Sequence, residues 1–98
     1  MEFAQFCQAR YCVGVASGTD ALHLACRVLD IGPGDEVVIP ANTFIGTALG
    51  VTLAGATPVL VDCNEEDFSL AVDSIEPAIT AKTKAIIPVH LYGQMCDM

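Results

Sequence analysis

Positive charge is scarce in this chain: Arg10, Arg27, Lys82 and Lys84 are its Lys and Arg residues, set against 12 acids for a net charge of −8. Nucleic acid and anionic membrane surfaces are held by clustered Lys and Arg, so neither is an expected partner. The five cysteines, Cys7, Cys12, Cys26, Cys63 and Cys96, are odd in number and show no C-x-x-C or zinc spacing. They read as buried free thiols of a reducing cytosol, which makes the expected location cytoplasmic and the expected metal content none. No G-x-G-x-x-G follows any strand-like run, which argues against a classical dinucleotide site. Met1-Glu2-Phe3 opens no basic leader with an apolar run, so no signal peptide is expected. Repeats, low-complexity tracts and linkers are also missing. One long uncharged run does occur, from Val37 to Val61, and its length could span a bilayer. Pro40, Gly46, Gly50, Gly55 and Pro58 cut it into strand, helix and strand instead.

Ninety-eight residues suffice for one small domain, and the hydrophobic share of 53% exceeds the usual range of about 45–50%. That excess predicts apolar faces that meet more protein, and with them a homo-oligomer. Phe3, Phe6, Cys7 and Arg10 recur at helical spacing over Glu2 to Arg10. Tyr11–Val15 then reads as a buried strand, Val37–Ile39 as a second, Thr57–Val61 as a third and Lys84–Val89 as a fourth. Helices are predicted from about Ser17 to Leu29, from Asn42 or Thr43 to Ala54, and over Leu70 to Ile79. Gly32-Pro33-Gly34 and Gly55 stop the first two of these, while Asn64 to Asp67 is a solvated acidic loop. This β-α-β-α-β-α-β order predicts an α/β fold, a mostly parallel sheet with flanking helices.

The stretch from Val13 to Leu22 packs strand, glycine turn and helix start into ten residues. Ser17 and Thr19 are N-cap types, and Ala21, Leu22, Leu24, Ala25, Val28 and Leu29 follow with helical spacing. Such a helix start aims unpaired backbone amides and the positive end of its dipole beyond the strand end, which suits a phosphate. An ordinary capped strand-to-helix turn would carry the same residues. Ligands of open α/β sheets collect outside the carboxyl ends of the strands. Ser17-Gly18-Thr19, Asn42-Thr43-Phe44 and His90-Leu91-Tyr92-Gly93 all fall at such ends and can face one pocket.

Ser17-Gly18-Thr19-Asp20-Ala21-Leu22-His23-Leu24, Gly32-Pro33-Gly34-Asp35-Glu36-Val37, Pro40-Ala41-Asn42-Thr43-Phe44 and Pro88-Val89-His90-Leu91-Tyr92-Gly93-Gln94 occur in that order. Together they resemble the DegT/DnrJ/EryC1/StrS family of sugar aminotransferases, which use pyridoxal 5'-phosphate (PLP). The resemblance implies that residues 1–98 are the front part of the large domain of the aspartate-aminotransferase-like fold (fold type I PLP enzymes). It also implies that the backbone of Gly18, Thr19 and Asp20, with the Thr19 hydroxyl, binds the cofactor's phosphate. Phe44 matches the aromatic that lies flat on the pyridine ring, although a core phenylalanine is its plainer reading. His90 either reaches the cofactor region or is a hydrogen-bonded strand-end histidine.

Transamination on PLP requires a Schiff-base lysine and a carboxylate that keeps the pyridine nitrogen protonated. In the family both follow the region matched here, as does the C-terminal domain. No catalytic residue is therefore assigned, and the 98 residues alone are expected to be inactive. The implied partners are a nucleotide sugar and an amino-acid donor. A related PLP sugar dehydratase, or a non-catalytic α/β module that binds an anion or a partner protein, remain the alternatives.

Overall fold

The computed structural model describes residues 2–98. Three parallel strands, β1 (Glu36–Pro40), β2 (Thr57–Val61) and β3 (Thr83–Ile86), form one sheet in the order β2-β1-β3. The central place of β1 follows from its side chains: Val37, Val38 and Ile39 are all fully buried. Successive residues of a strand face opposite sides. Val37 and Ile39 accordingly join Cys26, Ile31 and Val51 in one core, while Val38 joins Val61 and Leu70 in another. Full burial of each such side chain stabilises the fold by about 1.5–3 kcal/mol. Pro58, which lacks an N–H, sits in the edge strand β2, where a missing donor is tolerated.

Among the described residues four α-helices accompany the sheet: α1 (Glu2–Phe6), α2 (Gly18–Val28), α3 (Ile45–Leu53) and α4 (Ile75–Ala78), the last preceded by a 3₁₀ turn at Val72–Ser74. Helix α3 lies against β1 and β2, and α2 packs principally on α3. The two helices approach closely at Gly46 and Gly50, one turn apart on the same face of α3. A Cβ on Gly50 would stand 2.6 Å from the Cβ of Leu22. Gly55 ends α3 at φ +88, with Pro33 packed 3.1 Å from where its Cβ would be, so only glycine suits both the turn and the contact. No helix among the described residues is long and apolar enough to cross a membrane.

Several sequence expectations need correction. Tyr11–Val15 is not a strand: no ladder forms there, and Tyr11 and Val13 are 73% and 81% exposed. Strand propensity needs a neighbour to pair with, and both β2 and β3 pair only with β1. The sheet therefore has three strands rather than four. The first helix stops at Phe6, short of Arg10, and a left-handed Gln8 follows it. The helix expected over Leu70–Ile79 shrinks to the 3₁₀ turn and α4, which holds Pro77 within a single turn. Cys7 and Cys12 are exposed, whereas Cys26 and Cys96 are buried as expected. Burial pushes the Cys26 thiol up. In the acidic loop, the amide and hydroxyl of Ser69 both donate to Asp67 and hold its carboxyl below the usual range.

Candidate cofactor site

The start of α2 is built by Ser17. Its backbone is extended, at φ −158 and ψ 167, and its hydroxyl accepts from the Asp20 amide at 3.1 Å. The Ala21 amide donates to the Ser17 carbonyl. That leaves the amides of Gly18 and Thr19 without an acceptor among the described residues, at the positive end of an 11-residue helix. The second wall comes from the end of β1. Pro40 closes the strand, and the chain runs through Thr43 into Phe44, the N-cap of α3, which makes no side-chain capping bond. Thr43 was a candidate cap, but its hydroxyl pairs with that of Thr47 at 2.9 Å instead.

These two helix starts enclose a cavity of about 400 Å³, lined by Ser17, Gly18, Thr19 and Leu22 on one side and Phe44, Gly46 and Thr47 on the other. Gly46 sets its width. A Cβ there would lie 2.7 Å from Thr19 Oγ1 and 3.0 Å from the Phe44 ring. The hydroxyl and the ring edge are thus no farther apart than those two distances laid end to end. The Phe44 side chain is 73% exposed, so the core reading of this residue does not hold.

The structure brings Gly18, Thr19 and Phe44 together. Asp20 sits beside them, but its amide is already taken by Ser17 and it does not line the cavity. His90 is not among the lining residues, and its Nδ1 accepts from the Cys96 amide at 3.1 Å, the bond expected of a hydrogen-bonded histidine there. Sequence reasoning missed Thr47, Gly46 and Leu22 as cavity residues. A Gly-x-x-x-Gly spacing at Gly46 and Gly50 was the available signal for the close helix approach.

A phosphorylated aromatic ring suits this donor set. Two free amides at a helix start meet an anion, the Thr19 hydroxyl adds a third donor, and the exposed Phe44 ring offers an apolar face. A Cβ built on Gly18 meets nothing within 4 Å, which leaves an anion room to approach the backbone. Lys82 and Lys84 lie at the other end of the sheet. The Lys82 carbonyl accepts from the amide of Glu36, the first residue of β1, whereas the cavity lies beyond Pro40, the last.

The model of the DegT/DnrJ/EryC1/StrS aminotransferase family matches residues 1–98. The dTDP-3-amino-3,6-dideoxy-alpha-D-galactopyranose transaminase of Aneurinibacillus thermoaerophilus is 53% identical over 97 residues, which is 99% of this chain and 27% of that relative. The crystal structure of Streptomyces venezuelae DesV in complex with a ketimine intermediate superposes with a TM-score of 0.96 at 51% identity, covering 98% of this chain and 26% of DesV. Bacillus subtilis NtdA with bound cofactor PMP gives 0.94 at 43% identity, covering 97% of this chain and 22% of NtdA. The chain thus spans about a quarter of the length of the relatives it matches. With the sheet, the paired helix starts and this match over the full sequence, the chain belongs to the DegT/DnrJ/EryC1/StrS aminotransferase family.

Proposed function

We propose that this chain forms the phosphate-and-ring side of a PLP pocket in an aminotransferase acting on keto-sugar nucleotides, with an amino acid as donor. The observation that carries the reading is the shared cavity of the free Gly18 and Thr19 amides and the exposed Phe44 ring. PLP would supply an electron sink for amino-group transfer. Gly18 and Thr19 would anchor its phosphate, and Phe44 would hold its ring. The cytoplasm is the location that fits free thiols and a nucleotide-sugar substrate.

By this reading residues 1–98 are a partial PLP-binding domain and do not transaminate alone. Neither lysine can reach the cavity, because a five-residue strand separates the two ends of the sheet by about 13 Å. A chimaera tests the proposal: this chain replaces the matching 97 residues of the A. thermoaerophilus transaminase. The chimaera should bind PLP and aminate the relative's keto-sugar nucleotide, while the 98 residues alone should show no turnover. Turnover by the short chain, or a folded chimaera that fails to take up PLP, would contradict it.

The chain is also proposed to self-associate. Val13, Val15, Leu24, Val28 and Leu29 line an apolar groove of about 600 Å³, and Ile45, Leu49 and Leu53 leave a second apolar stripe exposed on α3. Light scattering should give a mass that rises with concentration, and Val28→Lys should lower it. A monomer across the whole range would overturn this.

A further inference from the structure

We propose that Thr47 is a positioning residue: through its hydroxyl bond to Thr43 it holds the Phe44 ring in place before any ligand arrives. The inference rests on the cofactor reading for its consequence, though not for its geometry. Phe44 is 73% exposed, so the core does not order it, and it makes no capping bond of its own. What flanks it is a brace. Thr43 Oγ1 and Thr47 Oγ1 lie 2.9 Å apart across the Phe44 position, and the Thr47 amide donates to the Phe44 carbonyl at 3.1 Å.

Thr47 is 5% exposed, so water does not readily take over its hydroxyl bond. Threonine is stiff about its first side-chain torsion, and a bond between two threonine hydroxyls fixes that torsion in both. The backbone on each side of Phe44 is thereby tied to the first turn of α3. Gly46 completes the seat, because any Cβ there would press within 3.1 Å of two ring carbons. A ring already held in one orientation loses less freedom when a ligand stacks on it, which raises affinity without adding a contact. Each hydroxyl of the pair also keeps unused hydrogen-bonding capacity, and Thr47 is one of the residues that line the cavity.

The test uses the 98-residue chain with labelled phenylalanine rings and pyridoxamine 5'-phosphate (PMP) as probe, since PMP has no aldehyde to react with lysines. Thr47→Val and Thr43→Val should each lower the ring order parameter of Phe44 in the free chain. Both should weaken PMP about three- to tenfold, the size of one lost neutral hydrogen bond. Thr47→Ser, which keeps the hydroxyl, should restore both readouts. Unchanged ring order in the valine variants, or a serine variant as loose as the valine one, would overturn the brace. If Thr47→Val does not fold, the half-buried Thr43→Val decides the same question. If the wild-type chain takes up no PMP, the same variants are compared for PMP affinity in the chimaera, and ring order in the free chain still decides the brace.

Discussion

Gly18→Asp is expected to abolish PMP binding while leaving the fold intact or slightly firmer. A Cβ at this position meets nothing within 4 Å, and an acid at the first position of α2 favours the helix dipole by about 0.3–1 kcal/mol. The thermal midpoint should therefore hold or rise. The new carboxylate would stand where the phosphate's charge must go, in a chain already at −8. Two like charges about 4 Å apart near a protein surface repel by about 4 kcal/mol, so a loss of at least about 100-fold in affinity is the expected result. Gly18→Asn has the same shape without the charge, and should lose at least about tenfold less. Equal losses for the two variants would assign the effect to size and remove the anion from the account.

The second large effect belongs to packing. Gly50→Val should lower stability by about 3 kcal/mol, the upper part of the usual cost of overpacking. The reason is local: even the first added carbon would lie 2.6 Å from Leu22 Cβ and 3.2 Å from the His23 amide nitrogen. Neither contact can be relieved without shifting α2 from α3. For a domain of this size the thermal midpoint should drop by about 15 °C. Thr19 would move with α2, so PMP binding should fall even below the melting range. A midpoint within about 2 °C of the wild type would show that the two helices are not in the close contact described.

Much of this was legible in the residues because local and tertiary preferences agree there. Val37-Val38-Ile39 is β-branched and buried on both faces, so its apolar run marked the strand directly. Ser17 caps α2 as its type suggests and Gly55 ends α3 where glycine should, whereas α2 ends at Val28 with a left-handed Asp30 two residues on, ahead of Gly32-Pro33-Gly34. Tyr11–Val15 carries an equally good strand signal, but pairing is a property of two segments and the sequence of one cannot supply it. The cavity followed the same division. The chain order placed Gly18, Thr19 and Phe44 at adjacent helix starts. The use of the Asp20 amide follows from Ser17 as N-cap, whose hydroxyl takes an amide of the first turn, whereas the pairing of the Thr43 hydroxyl with Thr47 depended on side-chain rotamers that no spacing encodes.

Cofactor binding by this fold turns on one pocket. An amide-resolved NMR titration of the 98-residue chain with PMP tests it most directly. The largest saturable shifts should fall on the amides of Gly18 and Thr19 and on the Phe44 ring, with none at Lys82 or Lys84. Saturable shifts centred elsewhere in the chain would contradict the placement of the cofactor between these two helix starts.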